Sequence, residues 1–586
     1  MIEYYVVGAG IIPASLYFSG TVTQFPDLAA AIAALPAPAV PGITNVIFLT
    51  DLWFDAFGKT YLIDNGKRVT ITGRPDAADS PMPIVGVGTG PGPLTTFLVE
   101  NAHVTFQNLM FMVVPPVSAS TNAVLFSDGD PGGAVTLGVA VHARGSASYT
   151  LAFCYDVNLG AGAITVFSAF AVRRPLGQPS VVVLGHRTLE GMQPVADGTG
   201  TTFAVQAGRL QVISCALIAA PTAITVLDQC DARIEGSIFR GADAESAFEP
   251  RHGILYRSTP GWPAIGLSAS LVVRTSVFVE CFRGVEVRST ELIASLVTIR
   301  CEIVRCYFEG YPEGLQTEGS EQHLIGVFWK FQNAVQSPVR RLLVENCIFR
   351  ALSEAVGVTG WWWSTILIGN NTVVYPRFAC IFLDDPNRPP VDQFGVPAES
   401  TKDLIVANNL FQAAFPTFVN AGAAPLYQFP RAGIYTIGPN PDTWAAGTGT
   451  GSLVVASNYF ANIPPDVRMA DIPTGDDLRS FYFPPNPPTQ NLAASPADGV
   501  LTGAPFVTPT PDYSPRWPPG VFPSPINTAD GTFLIPPPTD FFGAGRIGGA
   551  DSGAVEQRIG FEPANPGDGG PVVGPTPGSF SPRNRD

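Results

Sequence analysis

One short pattern of apolar and polar positions recurs along most of this chain. It is clearest in residues 404–411, Leu-Ile-Val-Ala-Asn-Asn-Leu-Phe, where apolar residues precede a small polar residue and a closing apolar pair. Each copy predicts a strand, a bend and the start of a second strand. The copies end at Leu217, Phe239, Phe278, Phe308, Phe349, Val373, Phe411 and Phe460. The shortest steps, 217 to 239 and 349 to 373, are 22 and 24 residues. Such a period indicates a solenoid.

The position two residues before each closing residue is small or carries an amide. Its occupants are Cys215, Ser237, Ser276, Cys306, Cys347, Asn371, Asn409 and Asn458. Stacked coils lie about 4.8 Å apart, so equivalent residues form a ladder. We expect this ladder to face inward at the bend, with its amides hydrogen-bonded from coil to coil and the phenylalanine column stacked in the core.

A second element follows six or seven residues after the closing residue, as in residues 284–287, 314–316, 355–358 and 380–383. It adds a second strand to each coil, and two strands joined by a bend predict a parallel β-helix. Residues 26–35 form the best predicted helix, because Asp27 can cap its start and Pro36 ends it. Such a helix would cover the open end of the first coil.

These residues resemble the right-handed parallel β-helix repeat proteins with the pectate-lyase-like fold, over roughly residues 20–556. Residues 540–546 and 551–556 are similar to the family's closing signature, and residues 524–527 to the segment before it. The resemblance, and not the spacing, implies the right-handed sense. The expected fold is all-β: a right-handed parallel β-helix with a short N-terminal capping helix and a proline-rich C-terminal segment.

Four segments are predicted along the chain. Residues 1–44 hold the N-terminal strand and capping helix, and residues 45–462 the β-helix with its lateral loops. The proline-rich residues 463–556 are predicted to pack along the solenoid, and residues 557–586 to form a flexible tail.

Composition narrows the classes of function. The chain has 586 residues, 46% of them hydrophobic and 14% charged, which indicates a folded protein. Its net charge of −15 argues against a nucleic-acid partner. No apolar run is long enough for a membrane span, and the N-terminus has no secretory signal. We expect an extracellular, virion or appendage surface location without a classical signal, with a cytosolic location as the alternative.

The cysteines and acidic residues predict no metal centre. No Cys-x-x-Cys or Cys/His cluster with zinc spacing is present, so the eight cysteines are expected to be buried thiols, with Cys306 and Cys347 reduced and stacked on adjacent coils. No cofactor is predicted. A calcium site is the alternative, because clustered acidic side chains could bind the ion, although the sequence has no calcium-loop spacing.

The second strands of neighbouring coils should form a surface that could hold a polysaccharide, as in many proteins of this fold. Charged and polar residues fall near it: the candidate catalytic residues are Glu318, Asp384, Asp385 and Arg288, and the candidate binding residues are Arg257, Glu286 and Gln316. Glu318 and Asp384 should lie two coils, about 9.6 Å, apart, near the upper limit for an inverting glycosidase pair. The alternative is a set of surface ion pairs such as Arg257–Glu286.

Three consecutive tryptophans, Trp361, Trp362 and Trp363, lie between two predicted strands. Exposed indoles could stack on sugar rings or contact another protein, whereas the alternative is packing against an adjacent loop. We refer to them as the tryptophan cluster.

Two functions are consistent with these residues. The first is a structural or adhesive β-helix, displayed on a virion, appendage or cell surface, that binds glycans or identical subunits. The alternative is a polysaccharide lyase or glycoside hydrolase that uses the acidic face. The first is favoured because a secretory signal and known enzyme motifs are absent. The Asn-Thr-Asp, Gly-His-Gly and Arg-Ile-Lys motifs of polygalacturonases do not occur, and residues 385–387 read Asp-Pro-Asn where alginate epimerases have Asp-Pro-His.

Overall fold

We describe the chain from a computed structural model. The structure describes residues 1–56, 59–73, 84–88, 95–114, 139–144, 146–158, 167–170, 180–189, 201–206, 208–219, 222–227, 230–241, 252–257, 268–289, 298–310, 324–331, 340–359, 364–374, 376, 379–384, 404–412, 432–437, 453–456, 458–461, 469–471, 534–546 and 553–554. The chain divides into two compact units, Met1–Arg257 and Ser258–Asp586.

The first unit contains two helices among its strands. Its elements are β1 (Ile2–Val7), α1 (Ala14–Ser19), β2 (Thr21–Phe25), α2 (Leu28–Ala34), β3 (Thr44–Leu49), β4 (Trp53–Asp55), β5 (Tyr61–Ile63), β6 (Arg68–Thr72), β7 (Ile84–Gly88), β8 (Thr95–Glu100), β9 (His103–Gln107), β10 (Met110–Val114), β11 (Val139–Arg144), β12 (Ser148–Ala152), β13 (Tyr155–Asn158), β14 (Phe167–Phe170), β15 (Ser180–Leu184), β16 (Arg187–Leu189), β17 (Thr201–Gln206), β18 (Arg209–Ile213), β19 (Ala216–Ala219), β20 (Thr222–Leu227), β21 (Asp231–Glu235), β22 (Ile238–Gly241) and β23 (His252–Arg257).

The described elements of the second unit are all strands. They are β24 (Ser268–Arg274), β25 (Val277–Val279), β26 (Arg283–Ser289), β27 (Thr298–Val304), β28 (Tyr307–Glu309), β29 (Ile325–Phe331), β30 (Arg340–Glu345), β31 (Ile348–Arg350), β32 (Glu354–Thr359), β33 (Thr365–Gly369), β34 (Thr372–Val374), β35 (Ala379–Asp384), β36 (Leu404–Ala407), β37 (Leu410–Gln412), β38 (Ala432–Ile437), β39 (Leu453–Ala456), β40 (Tyr459–Ala461) and β41 (Met469–Asp471).

Strands of successive coils pair in parallel in both units. In the second unit three sheets run in the orders β24-β27-β30-β33-β36-β39, β25-β28-β31-β34-β37-β40 and β26-β29-β32-β35-β38-β41. In the first unit the orders are β2-β1-β3-β6-β9-β12-β15-β18-β21, β4-β7-β10-β13-β16-β19-β22, β11-β8-β5 and β14-β17-β20-β23. The predicted all-β parallel β-helix is therefore confirmed, with three strands per coil where the sequence predicted two. Its right-handed sense is the usual one for parallel crossover connections.

In the second unit, the described bends between the first and second strand that have a left-handed residue are those at Thr275, Arg305, Asn346, Asn370 and Asn408. Asn346, Asn370 and Asn408 have φ values of 57°, 54° and 60°, a conformation that asparagine tolerates better than most residues. The next residue then points inward. In the second unit these inward residues form the predicted amide ladder: the Cys347 amide donates to Asn371 Oδ1 at 2.9 Å, and the Asn371 amide to Asn409 Oδ1 at 3.0 Å.

The closing aromatic column and the cysteines also occupy their predicted places. The rings of Phe278, Phe308 and Phe349 stack with centroids 4.7 and 4.8 Å apart and planes within 7°. All eight cysteines are free and buried. The Cys306 amide donates to Cys347 Sγ at 3.4 Å, which places these two thiols on adjacent coils as expected.

Helix α2 lies within the predicted helix of residues 26–35, and its start has the predicted cap. The Asp27 side chain accepts a hydrogen bond from the Ala30 amide at 2.7 Å, and Leu28, Ala31 and Ile32 are buried. Helix α1 was not predicted. None of the helices among the described residues is long and apolar enough to cross a membrane.

Residues 534–546 and 553–554, called here the closing segment, lie against the bends of the second unit. Asn408 Nδ2 donates to the Leu534 carbonyl at 3.2 Å, and Asn346 Nδ2 donates to the Thr539 carbonyl at 2.9 Å. Arg305 Nε donates to the Phe541 carbonyl at 3.1 Å. Most of the proline-rich segment and the predicted tail lie outside the described residues, and the predicted domain boundaries stay predictions.

Candidate functional site

The outer face of sheet β26-β29-β32-β35-β38 carries two rows of residues in register, which we call the ligand face. The first row is Glu286, Phe328, Gly357 and Phe382, and backbone register continues it to Tyr435. The second row is Arg288, Lys330 and Thr359, and backbone register continues it to Asp384 and Ile437. The side chains of Tyr435, Asp384 and Ile437 lie outside the described residues. The residues that alternate with these rows face the core. They are Val287, Trp329, Val358 and Leu383, and all four are fully buried.

An irregularity at the start of β26 adds Arg283 to this face. A Cβ on Gly284 would lie 2.6 Å from Phe308 in the stacked aromatic column, so Gly284 faces the core and must be a glycine. The next residue, Val285, is also fully buried. Because two consecutive residues face inward, Arg283 emerges on the same side as Glu286.

Glu286 lies between two arginines. Its Oε2 is 3.4 Å from Arg283 Nε, and its Oε1 is 3.5 Å from Arg288 Nη1. The Glu286 side chain is only 3% exposed, whereas that of Arg288 is 35% exposed. Burial of an ion pair is costly unless both charges are compensated. Two cations around one carboxylate leave this cluster with a net positive charge.

The Arg283 guanidinium also lies over an aromatic ring. Its Cζ is 3.8 Å from the centroid of Phe328, and Lys330 Nζ is 5.9 Å from the same centroid. Burial lowers the pKa of Arg283, and the carboxylates of Glu286 and Glu354 oppose that shift. Among the described residues, Arg283 Nη1 has no hydrogen-bond acceptor, although it is buried.

Glu354 contributes a second buried carboxylate next to Gly357. It is 4% exposed. A Cβ on Gly357 would lie 2.9 Å from Phe328 Cδ2 and 3.1 Å from Glu354 Oε2. Because Gly357 has no side chain, the Phe328 ring and the Glu354 carboxylate can both lie close to its backbone. Both carboxylates are buried, and the partly exposed charges in the described rows, Arg288 and Lys330, are basic.

The structure brings together only some of the predicted site residues. Glu286 and Arg288 are in contact, and Asp384 lies in the same row as Arg288 at the end of β35. Arg257 ends β23 in the first unit. The side chains of Asp384 and Arg257 lie outside the described residues, as do the whole of Gln316, Glu318, Asp385, Trp361, Trp362 and Trp363. Their predicted roles stay predictions.

Sequence reasoning missed four members of the ligand face, namely Arg283, Phe328, Lys330 and Glu354. In a regular strand, the residues on the same face as Glu286 would be those at positions 284 and 282. This alternation therefore left Arg283 out of the predicted face. The glycine at position 284, which recurs as Gly326 on the next coil, was the signal that could have revealed it. Among the described residues, no group of three or more His, Cys, Asp or Glu side chains could hold a metal ion.

Neither a protein-family model nor a curated protein matches this chain. Among solved structures it is similar to the crystal structure of the periplasmic alginate epimerase AlgG, with a TM-score of 0.36 and 9% identity over 74% of this chain and 82% of that chain. A mutant of that enzyme gives a TM-score of 0.32 and 10% identity over 76% and 83%. Likenesses of this size carry no argument about activity. The chain's own sheets establish the fold, and by that fold it is a parallel β-helix protein.

Proposed function

We propose that this chain is a structural or adhesive β-helix of a virion, appendage or cell surface that binds a polysaccharide on its ligand face. The observation that carries the proposal is the Arg283 guanidinium, held at 3.4 Å from Glu286 and at 3.8 Å over the Phe328 ring. The carboxylate and the ring hold this charge at a fixed place on the face, where it can attract the acidic substituents of a sugar.

The charges favour a glycan that carries carboxylate or sulfate groups. The two carboxylates described at the ligand face, Glu286 and Glu354, are almost fully buried. Arg288 and Lys330 keep part of their side chains in solvent. A local basic surface on a chain of net charge −15 would attract an anion where the rest of the protein repels it.

Glu286 is better placed to fix the arginines than to transfer protons. A general acid or base must reach the reacting proton, but each oxygen of Glu286 faces an arginine and the side chain is 3% exposed. The missing Asp-Pro-His motif at residues 385–387 agrees with binding rather than epimerisation. The alternative acid/base pair, Glu318 and Asp384, is tested separately below.

The experiment compares binding of acidic and neutral polysaccharides, first on an array and then by titration calorimetry. Arg288→Gln and Lys330→Gln should each weaken binding of an acidic chain about tenfold or more, because a hydrogen bond to a charged group contributes about 1.5–3 kcal/mol. Added salt should weaken wild-type binding further. Arg233→Gln is the matched control, since Arg233 is an exposed arginine, 56% accessible, paired with Glu235 on β21.

Two results would contradict this proposal. One is the absence of binding to every acidic glycan, and the other is an equal loss of affinity in the Arg233→Gln control. Release of new reducing ends or unsaturated sugars during the incubation would instead favour the lyase or hydrolase.

A further inference from the structure

The N-terminal sheet of the first unit begins with an open strand edge. Strand β2 (Thr21–Phe25) pairs in parallel with β1, from Glu3–Thr21 to Val7–Phe25. No described strand pairs with its other side. Thr21, Thr23 and Gln24 are exposed. An unpaired strand presents backbone N–H and C=O groups that can add another strand.

The five residues of β2 include none of those that usually block pairing. Proteins protect edge strands with lysine, proline, inward-pointing charges or bulges. Residues 21–25 read Thr-Val-Thr-Gln-Phe, which contains no charge and no proline and has high β-propensity. No charged side chain occurs between Glu3 and Asp27, although the whole chain has a net charge of −15.

Helix α1 places large apolar side chains next to this edge. It ends at Ser19 and connects to β2 through Gly20. Tyr4 Oη and Ser19 Oγ lie 3.0 Å apart, which ties the end of the helix to β1. Leu16 is buried, but Phe18 is 91% exposed and Tyr17 is 58% exposed. The inner side of the helix is therefore packed, and its other side leaves two aromatic rings in solvent.

We propose that the β2 edge and the exposed side of α1 form a two-fold interface with a second copy of this chain. In that interface β2 pairs antiparallel with its counterpart near Thr23, and Phe18 and Tyr17 are covered. A two-fold axis lets one strand edge satisfy itself, because the same surface serves both copies. Residues 4–26 carry no charged side chain, so a second copy of this acidic chain meets less repulsion there than its net charge produces elsewhere, which favours a copy of the chain as the occupant.

A cysteine cross-link tests the geometry directly. The eight native cysteines are all buried, so a new surface cysteine is the accessible thiol. Opposed residues of an antiparallel pair have Cα atoms about 4.5–5.5 Å apart, within the range of a disulfide. Thr23→Cys should give a covalent dimer under mild oxidation. Thr44→Cys is the matched control, because Thr44 is exposed on β3, which has β1 on one side and β6 on the other.

Sedimentation analysis tests the energetics on the full chain. Wild type should dimerise reversibly, and Phe18→Ser and Thr23→Lys should each raise the dimer dissociation constant at least tenfold. Thr44→Lys and Ile535→Ser should leave it unchanged, since Thr44 is not on an edge and Ile535, 79% exposed, belongs to the other unit. Circular dichroism verifies that each variant folds. If Thr23→Lys does not fold, the dimer dissociation constant of Phe18→Ser alone tests the interface.

Each of three results would overturn the interface. Wild type could remain monomeric at all concentrations, Phe18→Ser could dimerise as tightly as wild type, or Thr44→Cys could cross-link as fast as Thr23→Cys. The assays need no glycan, so their outcome is independent of the polysaccharide proposal.

Discussion

Removing one amide from the ladder should loosen the coils on both sides of it. Asn409 Nδ2 donates to the Ile368 carbonyl at 3.0 Å and to Asn458 Oδ1 at 2.8 Å. Its Oδ1 accepts from both the backbone amide and Nδ2 of Asn371 at 3.0 Å. Asn409→Ala deprives two buried backbone groups, the Asn371 N–H and the Ile368 carbonyl, of these partners. At about 1–3 kcal/mol for each such group, the loss should be roughly 2–6 kcal/mol.

Serine at the same position provides the matched control, because the chain already uses it there. Ser237 Oγ accepts from the Cys215 amide at 3.2 Å in the equivalent place on an earlier coil. Asn409→Ser therefore keeps an acceptor for the Asn371 amide but no donor that reaches the Ile368 carbonyl. It should lose roughly half as much stability as Asn409→Ala.

The measurement is amide hydrogen exchange together with denaturant unfolding. Unfolding of a repeat array need not be two-state, so exchange locates the effect. Protection should fall in residues 366–373 and 404–411 and stay unchanged in residues 210–217. Stability of Asn409→Ala within about 0.5 kcal/mol of wild type, or an equal loss of protection in all three segments, would refute the reasoning.

Four further predictions follow from the described residues and the sequence. Thiol titration should find none of the eight buried cysteines under native conditions and all of them free after denaturation without reductant; a disulfide-linked peptide would contradict this. Burial raises the pKa of Glu345 to about 7, so the folded state favours its protonated form. The associated stability is full below the ordinary glutamate pKa and is lost as pH rises through about 7. Glu345→Gln should therefore flatten stability–pH curves and be relatively more stable at alkaline pH. If Glu318 and Asp384 are an acid/base pair, Glu318→Gln and Asp384→Asn should each abolish depolymerisation of any glycan that wild type cleaves while binding persists. Alanine substitution of the tryptophan cluster should weaken glycan or subunit binding without unfolding, and unchanged binding would leave the cluster a packing role.

The columns of the solenoid were predictable because each coil repeats the same contacts. Once residues are aligned by coil, parallel register places Phe278 on Phe308 and Phe308 on Phe349, as the structure shows. Helix α1 could not be found in this way. Pro13 occupies its N-cap without a side-chain hydrogen bond, and the helix has only six residues. Its sequence therefore carries no strong start signal.

The ligand face was predictable in position but not in charge. Sequence spacing placed Glu286 and Arg288 on a common surface, and their contact agrees with this placement. The spacing of residues along the sequence does not show which charged side chains are exposed to solvent. The irregularity at Gly284 brings Arg283 beside Glu286, and the carboxylate is buried while Arg288 is not. A face that reads as acidic from its residue types thus presents mainly positive charge in its described part.

The asparagine pair at residues 408 and 409 shows a division of roles that the sequence pattern alone leaves open. In Asn408-Asn409, the first residue adopts the left-handed conformation and donates outward to the Leu534 carbonyl, whereas the second joins the inner ladder. On an earlier coil Asn346 keeps the outer role, and Cys347 replaces the inner amide. The outer contacts run from residue 534 on the later coil to residue 539 on the earlier one, so the closing segment crosses successive coils against their order. It therefore adds contacts of long sequence separation to a solenoid whose other contacts join neighbouring coils, and the stability of these bends depends on a segment more than 100 residues away along the chain.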